Sequence, residues 1–193
     1  MPFVDEATED VVFRIVYDGL GLSGSNTSIQ YICSKIPPEA RRFIAYEKPS
    51  WRECAFSPVT LGTLLGRRIR LHVQTGSGNV YSRSQNAWRK HLRHRADGLI
   101  RVVDSQVERV DVNIEYFETL QSEALTMPTV IQYNKRDLPN ALDLESLNKH
   151  LNPNALPYFE SVATTGYGVF DTLKAVTRLA VARARKAGDS APG

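Results

Sequence analysis

The chemistry of this 193-residue chain begins with a glycine-rich run, Gly19-Leu20-Gly21-Leu22-Ser23-Gly24-Ser25-Asn26. The run follows a β-branched, aromatic stretch at 11–17 and opens a helical pattern at 26–35. In that order, backbone N–H groups and a helix N-terminus cradle phosphate. The working motif is G-x-x-x-x-G-K-[ST], whose lysine reaches the β- and γ-phosphates and whose hydroxyl holds Mg²⁺. Gly19 and Gly24 have the right spacing, but Ser25 stands at the lysine position and Asn26 at the hydroxyl position. A reading without ligand is also open. Serine and asparagine are preferred helix N-caps, and glycines persist where a turn needs positive φ.

A second stretch, Asn134-Lys135-Arg136-Asp137, closes the strand-like residues 129–133. N-K-x-D is a guanine-reading pattern. Its aspartate accepts both N–H donors of the base edge, while the asparagine and the lysine stem hold the loop and the ring face. Val162-Ala163-Thr164 follows the strand-like residues 158–161 and resembles the loop in which G proteins bring a backbone N–H to guanine O6. The alternative is that 134–137 survives only because this loop packs against the glycine loop.

The elements that must position these groups alternate between strand and helix patterns, which predicts an α/β fold with a mainly parallel six-stranded sheet and helices on both faces. Strands are expected at 11–17, 53–58, 68–74, 98–104, 129–133 and 158–161. The second and third should form an antiparallel hairpin, with Ile69, Leu71 and Val73 alternating against Arg68, Arg70 and His72. Helices are expected at 26–35, 107–125, 144–151 and 169–186, with Pro37 and Pro38 ending the first. Residues 75–79 read as a loop. One domain at 11–187 follows, with an extension at 1–10 and a disordered tail at 188–193.

Composition excludes several classes. The chain is 42% hydrophobic and 23% charged with net charge +3, values ordinary for a soluble domain. No apolar run reaches membrane-spanning length and no signal peptide is evident. Cys33 and Cys54 form no metal spacing or disulfide framework, so a cytosolic chain with two buried, reduced thiols is expected. The densest charge run, Arg89-Lys90-His91-Leu92-Arg93-His94-Arg95, reads as a solvated helix face. No aromatic-interleaved basic stripe or finger spacing argues for nucleic acid. His91 and His94 are three residues apart, but no carboxylate or cysteine completes a metal set, so they read as surface residues.

The runs Ile15–Gly24, Asn134–Leu142 and Val162–Lys174 resemble the MglA-type gliding-motility GTPases of bacteria, over roughly residues 10–185. The resemblance implies a Ras-like P-loop G-protein fold and a GDP/GTP switch that sets polarity. It also implies roadblock-domain partners or polarity and motility regulators, and a cytoplasmic protein recruited to the cell pole. Candidate nucleotide-binding residues are Gly19, Gly24, Ser25, Asn26, Thr27, Asn134, Lys135, Asp137, Ala163 and Thr164. Candidate switch and partner residues are Glu47, Trp51, Arg52, Thr75, Gly78, Asn79, Tyr81 and Trp88, since exposed aromatics are favoured anchors.

Four positions depart from the family pattern: Ser25, Asn26, Ser50 in place of a transition-state arginine, and Asn79 in place of a water-orienting glutamine. Asn79 is one methylene short, about 1.5 Å. Losing the lysine and hydroxyl contacts together removes about 3–6 kcal/mol, or about two to four decades of affinity. An arginine contact of this kind is itself worth about 10³–10⁵ in rate. The sequence therefore predicts a pseudo-GTPase acting as a regulatory binding module. It needs no cofactor and no resident metal, and would hold GTP or GDP with weakened affinity and impaired Mg²⁺ binding. The alternative is an atypical switch with slow hydrolysis, in which Arg42, Lys48 or Arg52 replaces the lysine.

Overall fold

The stretch Val11–Gly19 is apolar at nearly every position and is buried on both faces, as a central parallel strand must be. The computed structural model describes residues 2–46, 51–76, 83–119 and 127–189. In chain order its strands are β1 (Phe3–Val4), β2 (Val11–Gly19), β3 (Arg41–Tyr46), β4 (Trp51–Phe56), β5 (Thr63–Leu64), β6 (Arg67–Gly76), β7 (Gly98–Asp104), β8 (Thr129–Asn134) and β9 (Tyr158–Glu160). The helices are α1 (Ser25–Ser34), α2 (Arg83–His94), α3 (Val110–Glu118), α4 (Leu144–Leu151) and α5 (Val169–Asp189).

The sheet runs β3-β4-β6-β2-β7-β8-β9, with β1 beside β2 and β5 beside β6. From β6 to β9 the pairs are parallel, and the expected β4–β6 hairpin is antiparallel. The six strands read from the sequence are all present in a Ras-like order. The structure adds β3 as a seventh along the main path, antiparallel to β4. Its sequence, Arg-Arg-Phe-Ile-Ala-Tyr, alternates too weakly to announce a strand, and it forms at an edge where β4 supplies the partner. The β6 ladder also reaches Gly76, two residues into the expected 75–79 loop. The expected 107–125 helix begins as a 3-10 turn, Val107–Arg109, before α3; residues 120–126 lie outside the described residues.

Strand alternation divides the core into two faces. Phe13, Ile15 and Tyr17 of β2 and Ile100 and Val102 of β7 join Ile29, Ile32 and Cys33 of α1 and Leu173 and Val176 of α5. On the opposite face Val103, Ile131 and Tyr133 pack under α3 and α4, and Val16 and Leu99 pack under Leu92 of α2. Cys33 and Cys54 are buried as expected, but they are joined as a disulfide with Cα atoms 5.9 Å apart. The expectation of two separate reduced thiols fails because α1 crosses over β4, a juxtaposition invisible in a spacing of 21 residues.

Among the described residues no helix is long and apolar enough to cross a membrane, and no cluster of three or more His, Cys, Asp or Glu is placed to hold a metal. His91 and His94 are exposed.

At the start of β2, Asp10 is buried and accepts from Arg68 Nε at 2.9 Å and Nη2 at 3.1 Å. These bonds hold its carboxyl below the usual range. A folded-state value below the unfolded one contributes stability above about pH 4, lost as pH falls through the folded value. In acid titrations followed by circular dichroism, Asp10→Asn should therefore flatten the loss of stability below about pH 4; an unchanged acid limb would assign that limb to other carboxylates.

Candidate functional site

β2 delivers the chain into the glycine loop at Gly19. The loop closes by Ser23 N donating to Leu20 O at 3.1 Å, and α1 starts as Ser28 N donates to Gly24 O at 2.9 Å. Gly24 is the N-cap, in the left-handed region at φ 101 with no side-chain cap. The reading of Ser25 and Asn26 as N-caps is therefore corrected: both lie inside the first turn of α1. The Ser25 hydroxyl is buried, 3.0 Å from the Ser23 hydroxyl, and Asn26 is half-buried. Gly19 is required by packing, since a Cβ would collide with Val102 O and Ser23 Oγ.

β8 ends at Asn134, whose amide joins three segments. Its Nδ2 donates to Ser23 O at 2.8 Å. Its Oδ1 accepts from Ala163 N at 2.9 Å and from Ser161 Oγ at 3.1 Å. A Cβ on Gly24 would collide with that Nδ2, so the glycine admits the asparagine. Lys135 has φ 64 and donates to Asp104 Oδ2 at 2.6 Å and Gln106 Oε1 at 3.2 Å. Arg136 turns the other way, to Glu160 Oε2 at 2.9 Å and the Leu142 carbonyl. Asp137 is exposed, leaving a carboxylate at the rim of a pocket of about 260 Å³.

That pocket is lined by Gly24, Thr27, Asn134, Lys135, Asp137, Ala163 and Thr164, with Leu22, Leu138 and Val162. The structure thus gathers seven of the ten nucleotide candidates on one cavity. Gly19, Ser25 and Asn26 do not line it. The volume falls just under the 300–1,000 Å³ of typical small-molecule sites. Asp137 presents an exposed carboxylate to this pocket, while Ala163 N in the loop after β9 is taken by Asn134.

Beneath the loop lies a buried ionic network that the sequence reading missed. Asp18, the last side chain of β2 before Gly19, accepts from Arg89 Nη2 at 2.8 Å, Arg93 Nη1 at 3.2 Å and Tyr116 Oη at 2.8 Å. Arg89 also donates to the Gly19 carbonyl, and its guanidinium lies 4.6 Å over the Tyr116 ring. Arg89 is 2% exposed and Arg93 8%, so the basic run on α2 is not wholly a solvated face. Burial, then the adjacent Asp18 charge, holds the Tyr116 phenol well above its ordinary range. The one available signal was Asp18 itself, an acid ending a core strand.

The switch candidates separate. Glu47, Ser50, Gly78, Asn79, Tyr81 and Lys48 lie outside the described residues. Trp51 opens β4. Thr75 is fully buried in β6, and Arg52 is its register partner. Trp88 is half-buried against Leu92 and stacks on His91 with centroids 5.5 Å apart. Of the substitute cations, Arg42 lies on β3 opposite Ala55 of β4. Sheet order places it three strands, about 14 Å, from β2. Arg52 shares a row with Thr75 and Tyr17, two strands or about 10 Å away.

Removing one member of a buried ionic network leaves uncompensated charge and costs about 3–5 kcal/mol. Asp18→Ala should lower unfolding stability by about that amount in urea titrations, whereas a loss below about 1 kcal/mol would mean that water reaches the arginines.

No family model matches the chain. It is 38% identical over 198 residues, covering 97% of this chain and 100% of the relative, to the mutual gliding-motility protein MglA of Myxococcus xanthus (strain DK1622). With the glycine loop, the Asn134–Asp137 loop and the sheet order in place, this similarity shows that the chain belongs to the MglA-type family of Ras-like small GTPases.

Proposed function

We propose that this chain is a catalytically degenerate family member. It binds guanine through the Asn134–Asp137 pocket and acts as a regulatory protein-binding module in bacterial polarity or gliding motility. One contrast within a single site supports the reading. The base side keeps Asp137 exposed at the pocket and Asn134 bonded through both its amide nitrogen and oxygen, while the phosphate side has Ser25 buried against Ser23. A serine there supplies no charge to a β- or γ-phosphate. An asparagine at position 26 supplies no hydroxyl to Mg²⁺. GTP and GDP are then held mainly by the base, with weakened affinity, and hydrolysis is lost.

Protein recognition is the remaining task of such a frame. By family, the partner is a roadblock-domain protein or another polarity or motility regulator, and the protein is cytoplasmic with recruitment to the pole. The relative's designation as a gliding-motility protein supports the process. A second reading, an atypical switch with slow hydrolysis, is favoured by one observation: Arg52 shares the Tyr17 row.

Two measurements test the proposal. Calorimetric titration should show GDP and GTP binding that changes less than about tenfold when Mg²⁺ is removed, and Asp137→Ala should weaken both by about ten- to hundredfold. Tight magnesium-dependent binding would favour the switch reading. GTP turnover, measured with and without a roadblock-domain protein, should stay at background; turnover at the rate of working relatives would overturn the degenerate assignment.

A further inference from the structure

Arg89, Lys135 and Arg109 each stand at the loop or the pocket, and they differ in how fully each is neutralised. Arg89 is buried and held by Asp18 through Nε at 3.2 Å and Nη2 at 2.8 Å. Lys135 is held by Asp104 at 2.6 Å. Arg109 meets that same carboxylate only at 4.0 Å from Nε, with about a third of its side chain exposed. Its Nη2 instead donates to the carbonyl of Gly21, inside the glycine loop, at 3.2 Å. One carboxylate thus faces two cations, and the shorter contact belongs to the lysine.

The backbone beneath Arg109 is fixed to the base-reading loop. Val107 N donates to Asn140 O at 3.0 Å, and Leu142 N donates to Ser105 O at 2.8 Å. Asn140 Nδ2 donates to Glu108 at 2.8 and 3.0 Å. The 3-10 turn carrying Arg109 is therefore built onto the segment after Asp137, while its guanidinium remains partly free at the loop.

We propose that Arg109 is the phosphate-binding cation of this chain, supplying from the turn before α3 the charge that Ser25 does not. A guanidinium presents a planar fork suited to bidentate phosphate contact. It is placed to exchange a neutral carbonyl for an anionic oxygen. The ligand class is a guanine nucleotide bearing at least one phosphate. The assignment rests on the proposed reading of the base pocket.

The test is calorimetry of the wild type, Arg109→Ala and Arg109→Lys with guanosine, GMP and GDP. Arg109→Ala should weaken GDP by about ten- to hundredfold while leaving guanosine unchanged, and Arg109→Lys should recover part of the loss. Guanosine binding by the variant also reports that the pocket remains folded. If guanosine binds and GDP affinity is unaltered in Arg109→Ala, this assignment falls and the base reading stands. Equal losses for guanosine and GDP would make Arg109 a structural prop for Asp104 and Lys135 and also overturn it. If the wild type binds neither ligand, both readings fall together.

Discussion

The buried carboxamide of Asn134 is the contact on which the site depends. Being both donor and acceptor, one side chain bonds the carbonyl of Ser23 in the glycine loop and the amide of Ala163 in the loop after β9. Three chain segments distant in sequence are thereby held at one point, away from water. A buried amide losing either partner costs about 1–3 kcal/mol, so the two loops cannot drift apart cheaply. The same geometry dictates a glycine at position 24, because the amide occupies the space of a side chain. Gln132 adds a parallel tie from β8 to α1 through Ser28 Oγ at 3.0 Å.

Electrostatics around the loop are organised inward. In a working phosphate loop the principal charge is a lysine aimed at ligand. Here charges beside the loop compensate one another: Arg89 and Arg93 with Asp18, and Lys135 with Asp104. Such pairs fix geometry more surely than they add net stability. Through Asp18, α2 and α3 are both referenced to the end of β2. Movement of α2 relative to the glycine loop would therefore have to break buried ionic bonds.

The parts legible in the sequence were those that local pattern determines. The apolar runs of β2, β7 and β8 and the amphipathic α5 announce themselves, and Gly24, Asn134, Lys135 and Asp137, singled out by their motifs, meet at one pocket. What escaped depends on partners far away in the chain. Arg89 looks solvated until Asp18 is known to lie beneath it, β3 is a strand only because β4 is beside it, and Cys33 meets Cys54 only because α1 crosses the sheet. Arg109 carried no local signal, since its relation to Gly21 arises from how the turn before α3 is anchored to Asn140.

The steric demand of Asn134 on Gly24 has a wider consequence. The neighbouring amide shapes the glycine loop from outside it, through Gly24 and the Ser23 carbonyl. A change at Gly24 or Asn134 disturbs that shape at once, because the amide fills the space a Cβ would take. The outline of the motif is therefore kept by internal packing, whichever side chains stand beside it.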